Sequence, residues 1–239
     1  MTLILGIKCG DGIVVGADSM FAVGSHFGRV RMDGEKIHLL PNNRGIVAFA
    51  GDLDVSQFVL DDLREQWSAI RNSESRNEVK DLISDSIRRV LGDENDQLDR
   101  PEFSALVALP IQKQASLLLF RGTQRPKEAS DGNYILRAGT GDHFALLFQK
   151  FLDHVFWNGK APPSISDGVF SALWTLNYII ETNAMGVGGA PRIALLEKTR
   201  EQETLRSRML PNHELDEYQQ LVESIESAMR QIKESWNQP

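Results

Sequence analysis

The chain has 239 residues, of which 41% are hydrophobic and 25% charged, with a formal net charge of −7 and a pI near 5.3. That length suits one large domain with a sizeable core. The acidic balance argues against a nucleic-acid or anionic-membrane partner, and no apolar run approaches the ~20 residues of a membrane helix. The single cysteine, Cys9, excludes an internal disulfide, and with no basic, signal-like segment at the N-terminus the expected location is cytoplasmic.

In chain order, Thr2–Cys9 reads as a strand, Gly10-Asp11-Gly12 as a turn, and Ile13–Ala17 as a second strand ending at Asp18-Ser19. A further strand is expected around Arg29–Met32, then the turn Asp33-Gly34, Lys36–Leu40, a turn at Pro41–Asn43, and Gly45–Ala50 leading into Gly51-Asp52. From Val55 the spacing becomes helical, through Phe58, Val59, Leu63, Trp67 and Ile70, and again from Val79 to Leu91, stopping at Gly92. Asp93–Asp99 reads as a solvated loop. Phe103–Leu109 and Ala115–Arg121 form an expected hairpin around Pro110, and Thr123–Asn133 is polar and irregular. Helices follow at about 142–156 and 164–182, then a strand at Ile193–Leu196 and a long amphipathic helix at about 212–236.

Thr2 carries the chemistry. Met1 is normally trimmed before so small a residue, leaving a threonine with a free α-amine. That amine titrates near pH ~7.7–8.0, and a Thr hydroxyl needs such a base to become a nucleophile. A mature N-terminal threonine thus carries its own general base. On position alone, Thr2 is an ordinary second residue.

The stretch from Thr2 onward resembles the β-type subunits of the proteasome core and their bacterial relatives. The shared pattern is an N-terminal Thr-strand, D-G-[apolar]-A-D-S at Asp11–Ser19, K-I-x-x-L at Lys36–Leu40, and [apolar]-A-G-D closing at Asp52. The likeness runs over about residues 2–198, leaving 199–239 as a C-terminal extension. It implies a four-layer αββα sandwich of the α+β class, the N-terminal-nucleophile hydrolase fold, with an added C-terminal helix.

By this resemblance Thr2 is the nucleophile of a threonine endopeptidase, and Asp18 and Lys36 are the charged residues beside it. An ammonium there favours the alkoxide and a carboxylate orients it. Ala48 stands where a backbone N–H stabilises the oxyanion, and Thr140, within Gly139-Thr140-Gly141, supplies a neighbouring hydroxyl. Phe21, Ala22, Ile46 and Ala50 are the expected substrate pocket, favouring an apolar residue before the cut. Where relatives carry an Asp and a Ser ahead of a Gly-Gly pair, alignment on Gly188-Gly189 gives Ala184 and Val187. Glu181, Thr182 and Asn183 are the nearby polar alternatives.

The implied assembly is a self-compartmentalised homo-oligomeric ring acting on unfolded polypeptide, with an ATP-dependent unfoldase as a further partner. No cofactor or metal is called for, since the five histidines are scattered and no ligand cluster occurs. Two other functions stay open. One is a ring that keeps the assembly but has lost proteolysis, in a structural or binding role; the other is an N-terminal-nucleophile amidohydrolase acting on small amides. The C-terminal helix either packs on its own domain or contacts a neighbouring subunit.

Overall fold

A computed structural model describes residues 2–25, 28–73, 75–92, 102–157, 162–182, 186–199 and 202–236. The chain opens with β1 (Ile4–Lys8), β2 (Gly12–Asp18), β3 (Met20–Ser25), β4 (Gly28–Asp33), β5 (Ile37–Leu39) and β6 (Ile46–Gly51). Helices α1 (Leu53–Glu65), α2 (Trp67–Asn72) and α3 (Arg76–Leu91) follow. Next come β7 (Phe103–Ile111), β8 (Gln114–Arg121), β9 (Lys127–Glu128) and β10 (Ile135–Ala138). The remainder is α4 (Asp142–Leu152), α5 (Ile165–Glu181), β11 (Pro191–Thr199), β12 (Gln202–Met209) and α6 (Asn212–Ser235). No helix among the described residues is long and apolar enough to cross a membrane.

The strands form three antiparallel sheets: β10-β1-β2-β11-β12, β5-β6-β7-β8-β9, and the separate pair β3-β4. Side chains on a strand alternate between faces, and here both faces are apolar. On β6, Ile46, Ala48 and Ala50 join a cluster shared with Ile4, Val15 and Ala194 of the other large sheet. Val47 and Phe49 point the opposite way, onto Val59, Leu63 and Ile83 of α1 and α3. On β1, Ile4 faces the shared cluster, while Leu5 and Ile7 pack against Val169, Leu173 and Leu176 of α5. Small residues line the shared interior because the sheets lie close. A Cβ at Gly6 would stand 2.8 Å from Leu106 Cδ2 and 2.9 Å from Leu117 Cδ1.

Local sequence explains the turn from β6 into α1. A Cβ at Gly51, which has φ of 127°, would fall 1.8 Å from the Glu102 carbonyl oxygen. Only glycine fits that crossing. Asp52 then caps α1, its side chain accepting from the Val55 N–H at 3.0 Å.

Several elements depart from the sequence reading. The helix expected to run from Val55 to Ile70 is broken at Gln66, which ends α1 and begins α2. Strands β3, β9, β10 and β12 were not anticipated, β9 falling within the stretch read as irregular, and α4 gives way to a π-helical turn over Asp153–Trp157. The loop expected at Asp93–Asp99 lies outside the described residues. Helix α6 begins where the amphipathic pattern does. Leu215 and Val222 are buried and Trp174 Nε1 donates to Glu226 Oε1 at 2.8 Å, yet Met229 and Ile232 remain half exposed and Trp236 is 78% exposed. Its first half packs on the chain's own α5; its last turns are bare.

Candidate active site

Thr2 lies just ahead of β1, a central strand paired with β2 on one side and β10 on the other. Ile4 is opposite Ala17 in β2 and Ala138 in β10. This register draws the end of β2 and the turn after β10 to the residue ahead of Ile4. Asp18 and Gly139–Gly141 thereby arrive beside Thr2 from opposite flanks.

On the first flank, Asp18 is fully buried. Its Oδ1 accepts from the Leu3 N–H at 2.9 Å and from Lys36 Nζ at 2.8 Å, and its Oδ2 accepts from the Gly188 N–H at 3.2 Å. The Lys36 side chain is 1% exposed, with Nζ 5.0 Å from the centroid of the Phe21 ring. Burial pulls the Lys36 ammonium below its ordinary 10.5, while the charge and hydrogen bond of Asp18 act against that pull. An ammonium poised to lose its proton early is thus tied, through one carboxylate, to the backbone next to Thr2.

On the second flank, the Thr2 backbone nitrogen donates to Thr140 Oγ1 at 3.2 Å, and that hydroxyl lies 3.5 Å from the Thr2 carbonyl oxygen. The Gly141 N–H also donates to the Thr2 carbonyl, at 3.4 Å. Gly139, with φ of 105°, passes so close that a Cβ would lie 2.1 Å from that carbonyl oxygen. Asp142 opens α4 and is held by Arg137 Nε at 2.6 Å and Arg121 Nη2 at 3.1 Å, which anchors the turn carrying Thr140.

A cavity of about 560 Å³ opens on Thr2 and Thr140, with Ala50, Phe103 and Ala138 as apolar wall and Glu102, Arg121 and His143 as polar wall. The expected site residues divide accordingly. Thr2, Asp18, Lys36 and Thr140 are brought together, and Ala50 lines the cavity. Ala48 is two residues earlier on the same face of β6, buried in the shared interior. Ile46 is also completely buried there. Phe21 lies against Lys36 instead of the cavity wall. The Ala22 side chain, Asn183 and Ala184 lie outside the described residues.

Val187 is fully buried among Leu3, Ile179 and Ala145. A Cβ on Gly141 would stand 3.0 Å from Val187 Cγ2, so an apolar side chain occupies the ground behind the Thr140 turn. Glu181 and Thr182 supply no polar replacement there. Both are exposed at the end of α5, and the Thr182 hydroxyl bonds back to the Tyr178 and Ile179 carbonyls.

Sequence reasoning missed two contributors. Gly188 entered only as a point of alignment, yet its N–H completes the Asp18 carboxylate, and a Cβ there would come within 2.4 Å of Met20 Cε. Ser19 was read only as the last letter of a motif. Its hydroxyl donates to Asp33 Oδ1 at 2.9 Å and accepts from the Ala190 N–H at 2.8 Å, stitching β4 to the strand after Gly188-Gly189. The paired glycines ahead of a strand were the available signal for both.

Comparison with solved structures gives matches over almost the whole chain. Anbu (ancestral beta-subunit) from Yersinia bercovieri matches at TM-score 0.75 and 15% identity, over 99% of this chain and 98% of that one. Anbu from Hyphomicrobium sp. strain MC1 matches at TM-score 0.74 and 14% identity, over 97% of each chain. The helical assembly of the Anbu complex from Pseudomonas aeruginosa matches at TM-score 0.72 and 16% identity, over 99% and 98%. No family model and no curated protein matches the sequence. The likeness is one of fold, and the fold is proteasome-like.

Proposed function

We propose that this proteasome-like fold is an αββα N-terminal-nucleophile hydrolase acting as a threonine endopeptidase. With Met1 removed, the Thr2 hydroxyl attacks a peptide carbonyl carbon and passes its proton to the Thr2 α-amine. The C–N bond breaks, the leaving amine takes that proton, and the acyl group stays on Thr2 as an ester. Water, deprotonated by the same α-amine, then releases the acid. Lys36, oriented by Asp18, stabilises the alkoxide, Thr140 holds the amine, and the Ala48 N–H serves the oxyanion.

The observation that carries this reading is the bonded path from Lys36 through Asp18 to the Leu3 amide, with Thr140 on the Thr2 nitrogen from the other side. A buried charge pair is costly to form, and this one adjoins the residue whose hydroxyl needs activation. The substrate is an unfolded chain admitted to a homo-oligomeric chamber, with an unfoldase feeding it. The bare last turns of α6 are the neighbour-facing surface. Deleting residues 228–239 and finding an unchanged oligomer mass would remove that assignment.

The test is intact mass before and after treatment with a peptide epoxyketone, whose adduct requires both the hydroxyl and the free amine of an N-terminal threonine. The expected result is a chain lacking Met1 that gains one inhibitor mass, with no adduct in Thr2→Ala. Retained Met1 would overturn the mechanism. A second reading, a ring with a structural role, is favoured by one observation: Val187 fills with an apolar side chain the place where relatives carry a serine. A trimmed chain that forms no adduct would support that reading instead.

A further inference from the structure

A second cavity, of about 630 Å³, opens between α2, the β7–β8 turn and β12, within the roughly 300–1,000 Å³ of small-molecule sites. Its floor is apolar: Ile70, Val79, Leu109 and Leu205 are all buried. Its rim carries Arg44, Arg71 and Lys113, and among the described residues no acidic one lines it. That runs against the composition, which has 33 acidic to 26 basic residues. Several arginines elsewhere are matched, as Arg208 is with Glu197 and Glu214, and Arg89 with Asp62. The three rim cations make no ion pair among the described residues.

Two further features coincide there. Trp67, 5% exposed, lines the cavity, and its buried indole N–H has no acceptor. A buried donor left without its bond is costly. In addition, among the described residues the non-glycine ones at positive φ are Asn42, Asn43, Gln112 and Lys113. Asn42 and Asn43 lead directly into Arg44, and Gln112 and Lys113 form the two-residue β7–β8 turn that borders the cavity. Asparagine tolerates that conformation; glutamine and lysine are strained in it. The backbone strain gathers around this cavity.

We infer that the cavity is a binding site for an amphipathic carboxylate, an anionic head on an apolar body. An inorganic anion would leave the floor wet. A neutral apolar molecule would leave the cationic rim uncompensated. A carboxylate on an aliphatic chain, or at the end of an apolar peptide, satisfies both, and its oxygens supply the acceptors that guanidinium, ammonium and indole N–H groups lack. The site is separate from Thr2 and does not depend on the proposed hydrolysis.

The test is calorimetric titration of the full chain with octanoate, with 1-octanol as its neutral counterpart, and with an Ala-Leu-Ile-Leu peptide bearing a free or amidated C-terminus. Octanoate is expected to saturate at one site per chain, with a Kd at least about tenfold below that of octanol. Arg44→Gln combined with Arg71→Gln, both at the rim, should raise the octanoate Kd at least about tenfold and leave that of octanol unchanged. Trp67→Phe should raise it about fivefold. A free-carboxylate peptide that binds tighter than octanoate, and fails once amidated, assigns the natural source as a peptide end; the reverse order assigns a free acid. Failure of both carboxylates to saturate below about 10 mM, or an octanoate Kd indifferent to the arginine pair, would overturn the inference.

Discussion

The two flanks of Thr2 are built on opposite principles. On one, three donors converge on the buried Asp18 carboxylate, from Leu3, Lys36 and Gly188. On the other, beyond the Thr140 hydroxyl, the ground is Val187 among Leu3, Ala145 and Ile179. A packed apolar flank stabilises by burial and needs no further reason. A buried ion pair is commonly neutral or unfavourable beside an apolar replacement, so its retention next to Thr2 calls for a chemical use. The polar flank is therefore the informative one for function, and the apolar flank for packing.

The largest effect should come from breaking the polar flank. Asp18→Asn leaves the Lys36 ammonium buried without its counter-charge and should lower stability by about 3–5 kcal/mol in urea unfolding. A loss below about 1 kcal/mol would mean that Lys36 reaches solvent, and the contrast between flanks would collapse. Val187→Ser puts a hydroxyl into the apolar flank and should cost about 1–3 kcal/mol; no loss would show that flank already able to satisfy a polar group. Thr140→Val, at the border of the two, removes an acceptor from the Thr2 nitrogen. It should cost about 1 kcal/mol and slow epoxyketone addition while leaving Met1 removal unchanged.

Cys9, at the other end of β1, gives the smallest effect up to pH 9 and extends the contrast to a buried group with no opposite charge. Burial, chiefly, pushes its thiol from 9.0 up to about 12. Between those values the unfolded chain releases a proton that the folded chain keeps, so stability falls as pH rises. The loss should begin at about 0.4 kcal/mol at pH 9 and steepen toward about 1.4 kcal/mol per pH unit. Urea midpoints measured from pH 8 to 11 would show it, and the Cys9→Ala chain should lack this component of the slope.

Much of this was legible before any coordinates. Gly-Asp turns and continuous apolar runs mark β1, β2 and β6 because each strand buries both faces, and the Gly51-Asp52 pair marks the start of α1 because only glycine fits one side of it and a cap is needed on the other. Thr2, Asp18, Lys36 and Thr140 were named from the resemblance; the sheet register brings Asp18 and Thr140 to Thr2, and Lys36 joins them through its bond to Asp18. What stayed hidden was set by partners distant in sequence. Strand β12 reads as polar because it is an edge strand with only Leu205 and Ser207 turned inward among its described side chains. Ile46 was assigned to a pocket, but its strand face belongs to the interior shared by the two sheets. The part played by Gly188 stayed hidden because an N–H aimed at Asp18, 170 positions away in sequence, leaves no local trace.

The placement of Thr2 has a consequence in time as well as in space. Chain ends usually fray and exchange their amide hydrogens within moments. Here the backbone from Leu3 to Lys8 is bonded to strands on both sides and packed under α5, so its amides should be among the last to exchange, opening only when the whole molecule opens. The slowest clock in the protein would then be running in the strand that leads away from Thr2.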